Sequence, residues 1–411
     1  MKLTSFFKNE FIRGTLILLI LSNLGNLLNF IFQFLMARKL SLEEFGILSF
    51  LGNLLLIFGV PSLAIQTLIS KKVIEFKKKG KVGQIRGLIV SAFSYLFIIA
   101  CVVMGLYFLL IGLFKDQIGI DFALLGLFSS LIFASLLSPI VTGLLQGLKY
   151  FSILGFALFF LFLVKLLLGL GFIYSGFGLY GAVIAIIISS YSIFLFIAKP
   201  LAKIRSKLLP SKFNMKQDFF IVSVLLLITL FYSLDLLIAK FVLDPSVLGN
   251  YSKISLIGKI LVFTGLSIGN VMLPLSLERK LDNLSSNKMF RKALVLNGFF
   301  CGLGLIIFYF FGNYLFEFLF GSIVPGSKEL YLLTLAAFSL ISFTILIVLY
   351  SLSQNNFSFI KLITYCLLLI CQLIILVTSI NLESFIYGFF YSSLAIFILA
   401  ILLSLKWKKS V

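Results

Sequence analysis

The chain has 411 residues, of which 61% are hydrophobic, 12% are charged and none is histidine. A water-soluble surface draws on about 25% charged residues, so this composition excludes a soluble globular protein and defines a polytopic membrane protein. The formal net charge of +20 is read as topology rather than as an affinity for nucleic acid, because the bases gather in alternate loops. Taken in chain order, twelve apolar runs reach the roughly 20 residues that a spanning helix needs. They are 12–36, 46–69, 87–111, 122–148, 151–174, 178–199, 219–240, 250–275, 293–311, 329–352, 357–379 and 384–405. The first follows a basic start, MKLTSFFKNEFIRG. It is too long for a signal-peptide core and no small-residue cleavage site follows, so it reads as a retained helix.

With the N-terminus placed in the cytoplasm, 26 of the 34 bases fall on the cytoplasmic side. Only five fall outside: Arg38, Lys39, Lys115, Lys240 and Lys328. This bias sets both termini in the cytoplasm. The outer segments are short, the longest being Gly312–Lys328, so no soluble domain is expected. A basic segment at mid-chain, carrying Pro200 and Pro210, separates two halves of six helices. The halves are 1–200 and 219–411, joined by a cytoplasmic linker at 201–218. An internal echo supports the division: Gln33–Gly46 (QFLMARKLSLEEFG) matches Asp235–Gly249 (DLLIAKFVLDPSVLG) with one residue inserted. Six is even, so the halves run in the same direction, as parallel repeats.

Polar residues inside the spans are the candidates for function. Ser22, Asn26, Asn29 and Gln33 follow helical spacing on one face of the first helix. Three amides on one face exceed what helix packing commonly uses, and favour the wall of a water-filled cavity. Ser135, Ser138, Thr142 and Gln146 do the same in the fourth helix, beside Pro139, Gly143 and Gly147. Here packing between helices and a cavity wall remain equal readings. Lys165 lies fourteen residues into its run, out of snorkelling range. An ionisable group at that depth costs about 2.5–3.5 kcal/mol on insertion scales. Lys259 shares a face with Ser252 and Ser255, whereas Lys253 can snorkel to the outer surface as an anchor. Asp235 is the one carboxylate well inside a span, at a depth comparable with Lys259. It is either that lysine's partner or an ion-coupling site. Three lysines against one aspartate leave the interior positive, which suits an anionic substrate. Lysine binds phosphate as a point charge. Cys101, Cys301, Cys366 and Cys371 lie in apolar runs without CxxC spacing, so neither a disulfide framework nor a metal site is expected, and no cofactor is implied.

The sequence words FQFLMARKLSLEEFGILSF, VPSLAIQTLISKK, QGLKYF, GFGLYGAVIA, LDLLIAKFVLDPSVLGNYS and NVMLPLSLE resemble, in their order and spacing, the Wzx-type O-antigen or capsule flippases. These form the polysaccharide-exporter branch of the MOP (MATE-like) superfamily. The resemblance implies an all-α protein of about 12 transmembrane helices in two parallel six-helix bundles, V-shaped around a central cavity. It also implies a non-enzymatic flippase of the inner membrane, moving an undecaprenyl-diphosphate-linked oligosaccharide across the bilayer by alternating access. The polymerase and chain-length regulator of the same pathway would be its protein partners; nucleic acid is not among them. On this resemblance Lys165 and Lys259 would receive the diphosphate–sugar headgroup, and Asn26, Asn29 and Gln33 would face the sugar. Arg38 matches the family's basic position after the first helix. The alternatives are a MATE-type multidrug or small-molecule antiporter, disfavoured by the shortage of intramembrane carboxylates, and a membrane polymerase or glycosyltransferase, disfavoured by the short outer loops. A lipid II flippase would bring two further helices, and none follows Trp407.

Overall fold

The computed structural model describes residues 10–197, 219–281, 286–322, 328–354 and 356–405, with isolated positions at 200 and 213. The expected termini and nearly all of the expected linker at 201–218 lie outside the described residues. Every regular element among the described residues is helical. The helices are α1 (Glu10–Lys39), α2 (Leu42–Phe58), α3 (Val60–Lys78), α4 (Val82–Leu113), a one-turn α5 (Lys115–Ile118), α6 (Phe122–Gly147), α7 (Phe151–Tyr174) and α8 (Gly178–Ser192). The second half of the chain supplies α9 (Phe219–Val242), α10 (Pro245–Leu281), α11 (Asn287–Phe320), α12 (Lys328–Ser353), α13 (Phe359–Val377) and α14 (Leu382–Leu405). With α2 and α3 counted as one span, and α8 continued by a short 3-10 helix at Ile193–Phe196, twelve helices among the described residues are long and apolar enough to cross a membrane.

Local chemistry sets the helix ends. The Ser-x-x-Glu at Ser41–Glu44 closes a reciprocal capping box: the Glu44 N–H donates to Ser41 Oγ (3.2 Å) and the Ser41 N–H to Glu44 Oε2 (3.0 Å). The break between α2 and α3 falls at Gly59 because Pro61, near the start of α3, has no N–H to continue the ladder. Asp121 caps α6 by accepting from the Ala123 N–H. It also accepts from the Tyr180 hydroxyl. That bond, more than the capping one, holds the exposed carboxyl below its ordinary range. The turn from α7 into α8 passes through Gly176 at φ 82°, a conformation open to glycine without steric cost.

The chain divides into two compact units. The first comprises Met1–Leu40 and Leu54–Ser223; the second comprises Ser41–Asn53 and Val224–Val411. In the first, glycines let helices approach closely. A Cβ on Gly143 would lie 2.7 Å from Gln66 O, and one on Gly147 would lie 2.7 Å from Val73 Cβ, so α3 and α6 approach closely. A Cβ on Gly155 would lie 2.8 Å from Leu18 Cα, where α7 meets α1. In the second unit, α10 presents Gly258, Gly265 and Gly269 to Phe338, Ser342 and Leu349 of α12. Small residues at such contacts are the membrane substitute for a hydrophobic driving force. The two units share a packing plan. In each, the second span packs on the fourth, the fourth on the sixth, and the fifth on the sixth. The fourth span, α6 or α12, is the most buried of its six. Gly143→Leu is expected to destabilise the protein by about 1–3 kcal/mol through overpacking, seen as a lower thermal midpoint in detergent. Gly126→Leu, which has open space at its Cβ, should leave that midpoint in place.

One expectation needs correction. The ninth helix does not stop at residue 311; α11 continues to Phe320, so most of the expected outer segment Gly312–Lys328 is helix. Gly312 makes room for the Tyr331 ring, whose hydroxyl would lie 2.5 Å from a Cβ at that position. The added turns bury Phe316 and Phe320, which stack on each other at 5.8 Å, while Phe316 packs edge-on to Tyr331 at 5.4 Å. The real terminator is Gly321, at φ 73°, whose N–H donates to Glu317 O.

Candidate functional site

In the first unit, α7 carries Lys165 inward, 9% exposed. Its ammonium donates to Asn29 Oδ1 of α1 at 2.9 Å and sits 4.3 Å from the centroid of the Phe32 ring. A Cβ on Gly169, one turn further along α7, would lie 2.5 Å from the same ring. Glycine at 169 therefore brings Phe32 beneath the lysine. Among the described residues no carboxylate lies within 4 Å of the ammonium. An amide oxygen and an aromatic face polarise toward a cation but carry no net charge. The ammonium thus has no counter-ion among the described residues.

Of the predicted amide face, Asn29 meets Lys165, Asn26 is exposed and Gln33 is half-buried. The fourth-span face resolves differently. Gln146 Oε1 accepts from Gln66 Nε2 at 2.9 Å, and the Thr142 hydroxyl bonds back to Pro139 O within its own helix. Together with Gly143 and Gly147, this face is packing between α6 and α3.

The second unit holds a different arrangement. Lys259 and Asp235 form an ion pair at 3.2 Å, both buried. The Ser255 hydroxyl donates to Asp235 Oδ2 at 2.5 Å, and the Tyr251 hydroxyl donates to the same oxygen at 3.2 Å. On its other side the Lys259 ammonium donates to Asn53 Oδ1 of α2 at 2.7 Å. Asn53 Nδ2 is spent on Ser49 O at 2.8 Å, which fixes the amide with its oxygen toward the lysine. The aspartate therefore meets three donors and the lysine two acceptors. Charge is balanced in place. Lys253 was expected to snorkel to the outer surface, but it is buried; its ammonium donates to Ser322 Oγ at 2.8 Å, just past the end of α11.

Sequence reasoning missed Asn53 and Phe32. Asn53 was visible as a lone amide in LSFLGNLLLIF, but nothing in its spacing points 206 residues ahead. Phe32 carried no signal among 49 phenylalanines. No group of three or more His, Cys, Asp or Glu side chains among the described residues could hold a metal ion.

This is a multi-pass membrane protein with the MATE-like helical fold. Among solved structures, the chain is similar to a multidrug resistance MATE family transporter of the MOP superfamily in an inward-facing conformation. That match has 13% identity, covers 96% of this chain and 99% of the other, and has a TM-score of 0.73. It is also similar to the lipid II flippase MurJ in an inward closed conformation (14% identity, 96% of this chain and 88% of that one, TM-score 0.66). A mutant of the Vibrio cholerae MATE transporter VcmN matches at 15% identity, over 99% and 98% of the two chains, with a TM-score of 0.62. No protein-family model matches the chain, and no curated protein matches it in sequence.

Proposed function

We propose that this protein is a Wzx-type flippase of the inner membrane, with both termini cytoplasmic. It carries an undecaprenyl-diphosphate-linked oligosaccharide from the cytoplasmic to the outer leaflet by alternating access. The observation that carries the reading is the contrast between two of the three buried lysines, the third, Lys253, lying nearer its helix start and bonded to Ser322 just past the end of α11. Lys259 is neutralised by Asp235, whereas Lys165 has only neutral partners among the described residues. An uncompensated cation inside a bilayer is costly, and such residues mark substrate or ion pathways. A diphosphate supplies the missing negative charge and hydrogen-bond acceptors for all the protons of an ammonium. Asn29, which orients the lysine, and the exposed Asn26 lie along the helix face that would meet the attached sugar. The likeness of fold to a lipid II flippase is compatible with a lipid-linked substrate.

The competing reading, a MATE-type multidrug antiporter, draws on the MATE likenesses. It requires an intramembrane carboxylate free to take a cation or proton. Here Asp235 is held by Lys259, Tyr251 and Ser255, which favours the anion reading. The test is complementation. Expressed in strains lacking their own O-antigen or capsule flippase, the protein should restore surface polysaccharide. Failure in all such strains, together with raised resistance to cationic drugs in an efflux-deficient strain, would put the antiporter in its place.

A further inference from the structure

The second unit carries a lateral groove that neither lysine site uses. It has a volume of about 460 Å³ and lies between α11, α12 and α14. Its walls are Leu305, Ile306 and Phe310 of α11, Leu333 and Ala336 of α12, and Phe390 of α14. Ile306 and Phe310 are mostly exposed, at 58% and 70%, so the groove opens sideways from helices that are long and apolar enough to span a bilayer. It runs from Glu329 to Ala336 along α12, about 10 Å at 1.5 Å per residue. Hydrocarbon is the medium that fills an apolar recess at that depth.

The mouth of the groove is charged, and with both signs. Glu329 lines it, with one carboxylate oxygen accepting from the Tyr387 hydroxyl at 2.9 Å. Lys328 is exposed beside it, its ammonium 3.8 Å from the centroid of the Tyr309 ring, which also lines the groove. A lysine at the first position of a helix opposes the macrodipole, so helix stability does not account for Lys328. Aromatic contact holds it over the groove instead. A phosphate beside Lys328 would meet both its charge and the positive end of α12. A purely anionic headgroup would also face the Glu329 carboxylate, and like charges in contact repel. A headgroup with a phosphate and a primary amine satisfies both side chains.

We propose that this groove is a binding site for a zwitterionic glycerophospholipid with a primary amine headgroup, that is, phosphatidylethanolamine. One acyl chain lies between α11 and α12, the phosphate is on Lys328 and the ammonium is on Glu329. The site is independent of the substrate reading given above. The test uses full-length protein in detergent with equal concentrations of phosphatidylethanolamine and phosphatidylglycerol bearing matched oleoyl chains, read by native mass spectrometry. The wild type should retain one phosphatidylethanolamine per chain, at least fivefold over phosphatidylglycerol. Leu333→Trp, which fills the groove, should reduce that retention at least fivefold. Glu329→Gln conserves volume and so guards against misfolding; it should keep a bound lipid but lose the preference. Equal retention of the two lipids by the wild type, or a preference unchanged in Glu329→Gln, overturns the proposal. So does undiminished binding in a folded Leu333→Trp variant.

Discussion

Replacing Lys165 with methionine should abolish polysaccharide export while leaving the protein as stable as before or more so. The two effects separate because the lysine is buried without a carboxylate among the described residues. Hydrogen bonds to a charged group contribute about 1.5–3 kcal/mol each. Removing one such contact to a diphosphate should weaken substrate binding by about 10- to 150-fold. Burying the charge works in the other direction. Replacing a buried ionic group with an apolar side chain of similar volume is often neutral or stabilising by about 1–4 kcal/mol. The comparison therefore needs two readings on the same samples: surface polysaccharide in a complemented strain, and the thermal midpoint of purified protein. Lys165→Arg keeps the charge but exchanges a compact ammonium for a longer planar fork, and should retain part of the export. Full export by Lys165→Met at wild-type abundance would remove this residue from the proposed substrate site.

The second large effect concerns the pair in the other unit. Lys259→Met alone should destabilise the protein by about 3–5 kcal/mol, because it leaves the Asp235 carboxylate buried and uncompensated. Asp235→Asn alone should cost a similar amount, since the Lys259 ammonium loses its charge partner and keeps neutral contacts with Asn53 and the Phe338 ring. The double change, Asp235→Asn with Lys259→Met, removes both charges and should recover most of the loss. The midpoints of the four proteins form a cycle that isolates the coupling. Additive losses would deny that the pair acts as a unit. Export separates two roles that stability alone leaves joined. A folded double variant that exports normally makes the pair structural. A folded double variant that does not export gives the pair a role in transport.

The number, order and approximate extent of the spans were legible in the sequence because hydropathy along a chain is a local property and spanning helices need a fixed length of it. The end of the ninth span was misplaced because the apolar run was closed at residue 311, before the turns that carry Gly312 and Phe316. Gly312 serves a tertiary use there, admitting Tyr331. The same division runs through the candidate residues. Lys165 stood out because a cation deep in an apolar run is anomalous whatever surrounds it, and Asn29 stood out through its amide face. That the two meet at 2.9 Å depends on how α1 and α7 are rotated against each other, which the glycines of α7 set and spacing does not reveal. The α6 face was ambiguous for the converse reason. Serines, threonine and glutamine at helical spacing serve either water or another helix, and only the presence of Gln66 and Val73 opposite decided it. Asn53 was beyond reach because its partner lies on a helix formed much later in the chain.

That separation has a consequence for the order in which the protein is made. The segment Ser41–Asn53 belongs with the second unit. Gly46 lies against Leu248, and Gly249 packs on the Leu42 backbone. Its neighbours on α10 are translated about 200 residues later, a delay of about 10–40 s at 5–20 residues per second. Over that interval the nascent chain holds a finished helical arm with no counterpart. Its capping box and the break at Gly59 keep the arm shaped in advance. Assembly of the second unit then becomes the docking of new helices onto an old one, rather than the folding of an autonomous half.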